Sequence, residues 1–178
     1  LDDDGNPNPP HKRPSCRGRR NWYDVGTRKK PKLSVNYLVN EVMRSFVKES
    51  GIFVSDNFQE CHFNGSEPSQ IGVSLNSTVT QLSANVSGRA NFGGGLMKIQ
   101  TYEVAAFSVF DPKLLSASEC SSVITNAEML NLESDDRREL DNIIFDALGL
   151  TTGERDAVYE AVIDLVSKRL NRARTITT

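Results

Sequence analysis

Apolar positions recur at helical spacing in four places along the chain. Leu38, Val39, Val42, Met43, Phe46 and Val47 share one stripe, which predicts an amphipathic helix from Tyr37 to Ser50 closed by Gly51. Leu75, Val79, Leu82 and Val86 predict a second helix from Val73 to Ser87. Leu140, Ile143, Ile144, Ala147 and Leu148 predict a third, Arg137 to Leu148, ending at Gly149. The fourth is capped by Thr151 or Thr152, has Glu154 in its first turn, and carries Val158, Ala161, Val162, Leu165 and Leu170. Joined through Gly149-Leu150-Thr151-Thr152-Gly153, the last two form a C-terminal helical hairpin over residues 137–173.

Strand-like runs lie between and before these helices: Pro31 to Val35, Ile52-Phe53-Val54, Phe58 to Phe63, and Leu96 to Phe107, the last stopped by Asp111-Pro112. The predicted fold class is α+β, a small mixed sheet with amphipathic helices and the C-terminal hairpin. Residues 1–20 have no apolar periodicity and read as a flexible, basic, Pro-rich linker. The folded body then covers 21–178, beginning at Trp22-Tyr23-Asp24-Val25, with the two aromatics assigned to its core.

Composition narrows the class. A length of 178 residues with 38% apolar content suits one folded domain carrying a polar tail. No apolar run reaches the roughly 20 residues that span a bilayer, so no membrane partner is expected. Cys16, Cys61 and Cys120 are odd in number, widely spaced and without a C-x-x-C pair. That argues against a disulfide framework or structural zinc and for a reducing, cytoplasmic compartment. The first residue is Leu1, so the chain reads as a piece of a longer protein.

The net charge of −2 conceals segregation. From His11 to Lys32 nine Lys and Arg face one Asp, whereas from Asp111 to Thr178 thirteen acids face eight bases. A basic arm on a mildly acidic body is the footprint of one anionic partner on one side.

No catalytic set is present. His11 and His62 stand in weak contexts, and neither G-x-S-x-G nor G-x-x-x-x-G-K-[ST] occurs. The glycine-rich loop Gly88-Arg89-Ala90-Asn91-Phe92-Gly93-Gly94-Gly95 follows a predicted helix and precedes a predicted strand. A cofactor pyrophosphate loop needs the reverse order. No catalytic residue, cofactor site or metal ligand is therefore assigned. Asp135, Asp136 and Glu139 lie near a predicted helix start, where they favour the helix dipole.

Three segments suit DNA instead. Arg17, Arg19 and Arg20, with Lys29 and Lys30 further along the arm, present cations to phosphates; the other reading is a solubilising tail. Ser55, Asp56 and Asn57 are small polar residues able to meet base edges, or simply a turn between strands. Arg89 and Asn91, with the backbone amides of Gly93 and Gly94, suit close approach to phosphate or groove. There the bland alternative is a tight turn whose arginine pairs with a carboxylate.

These segments carry a family resemblance. Ser87-Gly88-Arg89-Ala90-Asn91-Phe92-Gly93-Gly94-Gly95-Leu96-Met97-Lys98-Ile99, with Asn76-Ser77-Thr78 upstream and Val109-Phe110-Asp111-Pro112 downstream, resembles the recognition region of adenine-specific DNA methyltransferases of bacterial restriction–modification systems. So do Arg19-Arg20-Asn21-Trp22-Tyr23, Ser55-Asp56-Asn57-Phe58, and the tail from Leu140-Asp141-Asn142 through Leu148-Gly149-Leu150 to Glu154-Arg155 and Val158-Tyr159. Gln59 and Cys61 depart from the family pattern. Asn8-Pro9-Pro10-His11 is similar to the Asn-Pro-Pro-Tyr of such enzymes but has His11 at the aromatic position and no preceding apolar strand.

The resemblance implies a target recognition domain of an adenine-specific DNA methyltransferase or a fused restriction–modification enzyme, binding double-stranded DNA for a catalytic methyltransferase domain lying elsewhere, with S-adenosylmethionine bound by that enzyme and no cofactor held here. The alternative is a subunit-docking module whose hairpin binds a partner protein without touching DNA.

Overall fold

The computed structural model describes residues 5, 7–24, 26, 29–62, 65–89, 95–124 and 131–176. They form two compact units divided between Lys30 and Pro31. In the first unit the prolines set helical φ, and two short elements follow: a 3-10 turn, Pro10–Lys12, and a one-turn helix α1, Pro14–Arg17. The segment expected to be structureless thus has local helical turns. Trp22 and Tyr23 pack edge to face at 5.5 Å and remain 49% and 66% exposed, against the expected core placement. No described residue of this unit is buried, so there is no apolar interior for them to join.

The second unit is α+β. Strand β1, Leu33–Asn36, is the centre of a three-stranded antiparallel sheet between β3, Ser45–Val47, and β4, Phe58–Cys61. A second, two-stranded sheet pairs β2, Leu38–Val39, with β5, Met97–Lys98. The helices are α2, Pro68–Asn76; α3, Thr78–Ser87; α4, Thr101–Val104; α5, Ala117–Ile124; α6, Asp135–Leu148; and α7, Thr152–Ile176.

The helix expected over Tyr37 to Ser50 is instead β2, a connection and β3. Two buried amide side chains decide this. Asn76 Oδ1 accepts from Ser45 N at 2.8 Å while its Nδ2 donates to Ser45 O at 3.0 Å. Gln81 does the same for Met43, with both bonds at 2.9 Å. Each amide mimics a neighbouring strand for the residue it holds, so Val39, Val42 and Met43 are buried from a strand and the connection after it rather than from a helix, while Leu38 and Phe46 of the same stripe are exposed.

The predicted Val73–Ser87 helix is two helices. Ser77 leaves helical geometry, its hydroxyl donates to Ser74 O at 2.9 Å, and the same oxygen accepts from Thr80 N at 3.3 Å. It thereby closes α2 and caps α3. The strand expected from Leu96 to Phe107 is reduced to Met97–Lys98, because Gln100 and Glu103 form a capping box that starts α4. Ile52-Phe53-Val54 forms no strand, and Ile52 and Phe53 stay exposed.

The two expected C-terminal helices are present, α6 starting two residues before Arg137 and α7 running on to Ile176. Ser134 caps α6, Gly149 closes it at φ 68°, and Thr151 and Glu154 bond reciprocally at the start of α7. The partner choice is less local. Helix α7 packs most extensively on α3 and α6 on α5. Where α6 and α7 meet, Phe145 and Tyr159 pack edge to face at 5.7 Å.

One core gathers Leu33, Val35, Val39, Met43, Ile71, Leu75, Met97 and Ile99 between the sheets and α2. The other joins α2, α5 and α6 through Val73, Leu115, Cys120, Val123, Leu140 and Ile144.

Candidate nucleic-acid interface

Tyr37 is the junction between the two sheets. Its N–H donates to Asn57 O at 2.9 Å, and its carbonyl accepts from Ile99 N at 3.0 Å. Gln59, one of the departures from the family pattern, makes the same connection from β4. Its Nε2 donates to Ile99 O at 3.0 Å and its Oε1 accepts from Thr101 Oγ1 at 2.6 Å. The Ser55-Asp56-Asn57 turn, closed by Phe58 N donating to Ser55 O at 3.0 Å, is therefore tied to the segment that leaves the glycine loop. All three turn residues are exposed.

Arg89 forms an isolated antiparallel bridge with Lys98. Its guanidinium lies over the Tyr102 ring, 5.7 Å from the centroid, and its Nε is 3.1 Å from Glu103 Oε1. This contact is an ion pair whose angle falls outside hydrogen-bond geometry. The Arg89 side chain is 62% exposed, whereas that of Glu103 is 7% exposed. Glu103 Oε2 accepts from Gln100 N at 2.7 Å, which fixes the carboxylate. Lys98 Nζ sits 4.7 Å from the Tyr37 ring centroid.

Close packing fixes both ends of the loop. A Cβ on Gly88 would lie 2.2 Å from Met97 Sδ and 2.7 Å from Ala84 O, so glycine lets the end of α3 rest on β5. Gly95 has φ +75°, and a Cβ there would meet the backbone of Arg169 and Leu170 on α7. The buried Arg169 donates from Nη1 to Gly95 O and from Nη2 to Glu41 O at 3.4 Å. Burial pushes its guanidinium below the usual arginine range. Arg169→Ala leaves those two carbonyls unmet, and a loss of about 1–3 kcal/mol in urea denaturation is expected.

Arg89 and the Asn57 turn therefore belong to one connected surface, with Tyr37, Lys98, Thr101 and Tyr102 beside them. Arg17, Arg19, Arg20, Lys29 and Lys30 are exposed in the first unit. Asn91, Gly93 and Gly94 lie outside the described residues. Reasoning from sequence missed Tyr37, Lys98, Tyr102 and Glu103. The Gln100-x-x-Glu103 spacing was the available signal, because a capping box there replaces a strand with a helix that presents Tyr102 and Glu103. Neither Cys61 nor Cys120 is poised to react, since burial pushes both thiols up to about 11.

Residues 3–144 match the C-terminal domain of the Type II methyltransferase M.Eco57I. The chain belongs to that family. No curated protein and no solved structure matches it. As an M.Eco57I-type C-terminal domain it is a methyltransferase-associated domain of a restriction–modification setting. The match ends inside α6, so α7 and its Arg169 contact with the glycine loop lie beyond it. No helix among the described residues is long and apolar enough to cross a membrane.

Proposed function

We propose that this chain is the target recognition domain of an adenine-specific DNA methyltransferase, holding double-stranded DNA for a catalytic domain that binds S-adenosylmethionine. The observation that supports this reading best is the connected surface of Arg89, Lys98, Tyr37, Tyr102 and the Asn57 turn, built on elements fixed at both ends. Such a surface offers directional donors, acceptors and aromatic faces to base edges. Bulk attraction to phosphate comes from the basic arm, where Arg17, Arg19 and Arg20 are exposed.

Chemistry on the base is assigned to the catalytic partner. His11 of Asn8-Pro9-Pro10-His11 lies within an exposed 3-10 turn, not in a loop anchored by a strand. Duplex binding by the full chain is expected to fall steeply with salt. An Arg19→Ala, Arg20→Ala double variant should lower the log–log slope by about 0.9 for each phosphate that is no longer neutralised. Salt-independent association, or none, would return the chain to a protein-docking role. Identification of N6-methyladenine in DNA modified by the assembled enzyme tests the target base.

A further inference from the structure

We propose that Arg89 reads a guanine of the target sequence, with Glu103 and Tyr102 as the residues that position its guanidinium. The inference rests on the DNA-recognition reading above and specifies how that surface reads sequence. It starts from the way Arg89 is held. Glu103 engages Nε at 3.1 Å, and the Tyr102 ring lies beneath the guanidinium carbon at 5.7 Å. Nη1 and Nη2 have no other partner among the described residues, and the side chain is largely exposed. One edge of the planar fork is thus drawn toward the Glu103 carboxylate, and the side chain is largely open to solvent.

A phosphate grip requires positive charge and tolerates many orientations. Reading guanine requires two parallel N–H donors in a defined plane, aimed at O6 and N7 in the major groove. The Nη1–Nη2 end supplies those donors while the Nε side faces the Glu103 carboxylate.

Local charge points the same way. Glu103 offsets Arg89 directly, and Asp56 stands in the turn tied to the same surface, so the cluster is close to balanced and poorly suited to bulk attraction of phosphate. Glu103 itself is held by Gln100 N and is almost fully buried, so its carboxylate is a fixed support rather than a mobile counter-ion. Buttressing an arginine in this way reduces the rotamer freedom lost when it meets a base.

The test uses the full chain and a duplex library with a randomised core. Selected duplexes, and all single-base-pair changes in them, are then titrated against wild type, Arg89→Ala, Arg89→Lys and Glu103→Gln. Wild type is expected to select a G·C pair whose replacement weakens binding roughly 5- to 150-fold. Both Arg89 variants should lose discrimination at that one pair, keep it elsewhere and leave the salt slope unchanged. Glu103→Gln retains an acceptor for Gln100 N but removes the negative charge that faces Nε, and should relax selection at the same pair only.

Uniform weakening across all duplexes with a slope smaller by about one would overturn the proposal and make Arg89 a phosphate contact. Unchanged selection by the Arg89 variants would overturn it as well. If wild type binds duplexes but enriches no sequence, guanine reading fails while DNA binding stands; if it binds no duplex, both readings fail. Should Glu103→Gln melt early, the exposed Arg89→Lys change still decides the matter.

Discussion

Asp141→Ala is expected to destabilise the protein by about 3–5 kcal/mol, the loss associated with removing one partner from a buried charged network. Asp141 is fully buried on α6 and accepts from Thr78 N at 2.6 Å, Thr78 Oγ1 at 2.5 Å and Tyr159 OH at 2.9 Å. Burial pushes its carboxyl above the usual aspartate range. The Thr78 bonds, the Arg137 charge and the Tyr159 bond pull the other way. One carboxylate therefore supplies an acceptor to the N-terminus of α3, a partner for the α7 tyrosine and a counter-charge for the buried Arg137.

Alanine at this position removes all three contributions, including the negative charge that offsets a buried guanidinium. Asp141→Asn, with one acceptor oxygen and no charge, should recover only part of the loss. Urea denaturation measures both. Wild-type midpoints in both variants would show that the three helices do not depend on this residue.

Ile144→Ala is expected to cost about 2–5 kcal/mol, the range for truncating a fully buried aliphatic side chain. Ile144 is 0% exposed and packs with Val73 of α2, Cys120 and Val123 of α5, and Leu140 one turn back. The cavity is bounded by three helices and a capped start to α6, so the walls have little freedom to collapse inward. Ile144→Val, which deletes only one methyl group, should cost about 0.5–1.5 kcal/mol and calibrates the site. An unchanged melting profile for Ile144→Ala would mean that α6 does not seat against α2 and α5.

Local signals were most legible where one element holds its own start and stop. The end of α6 and the start of α7 followed from Gly149, Thr151 and Glu154, because caps act within one turn of the residues they satisfy; the Ser134 cap, which starts α6 at Asp135 rather than Arg137, was not read. The basic arm and the Arg89 glycine loop were likewise visible as charge and composition. The site failed to emerge from sequence where it depends on pairing distant in the chain. Lys98 reaches Tyr37 only because β5 pairs with β2, and Glu103 meets Arg89 only because a capping box turns the chain at Gln100.

Residue order alone was enough for the α+β class, the C-terminal helices and the family. Whether the 37–50 stripe became helix or strand, and which cations, aromatics and carboxylates share a surface, emerged only on folding. An apolar stripe specifies burial without specifying backbone hydrogen-bond partners. At Met43 and Ser45 those partners are the side-chain amides of Gln81 and Asn76, more than thirty positions away, and only the folded chain brings them there.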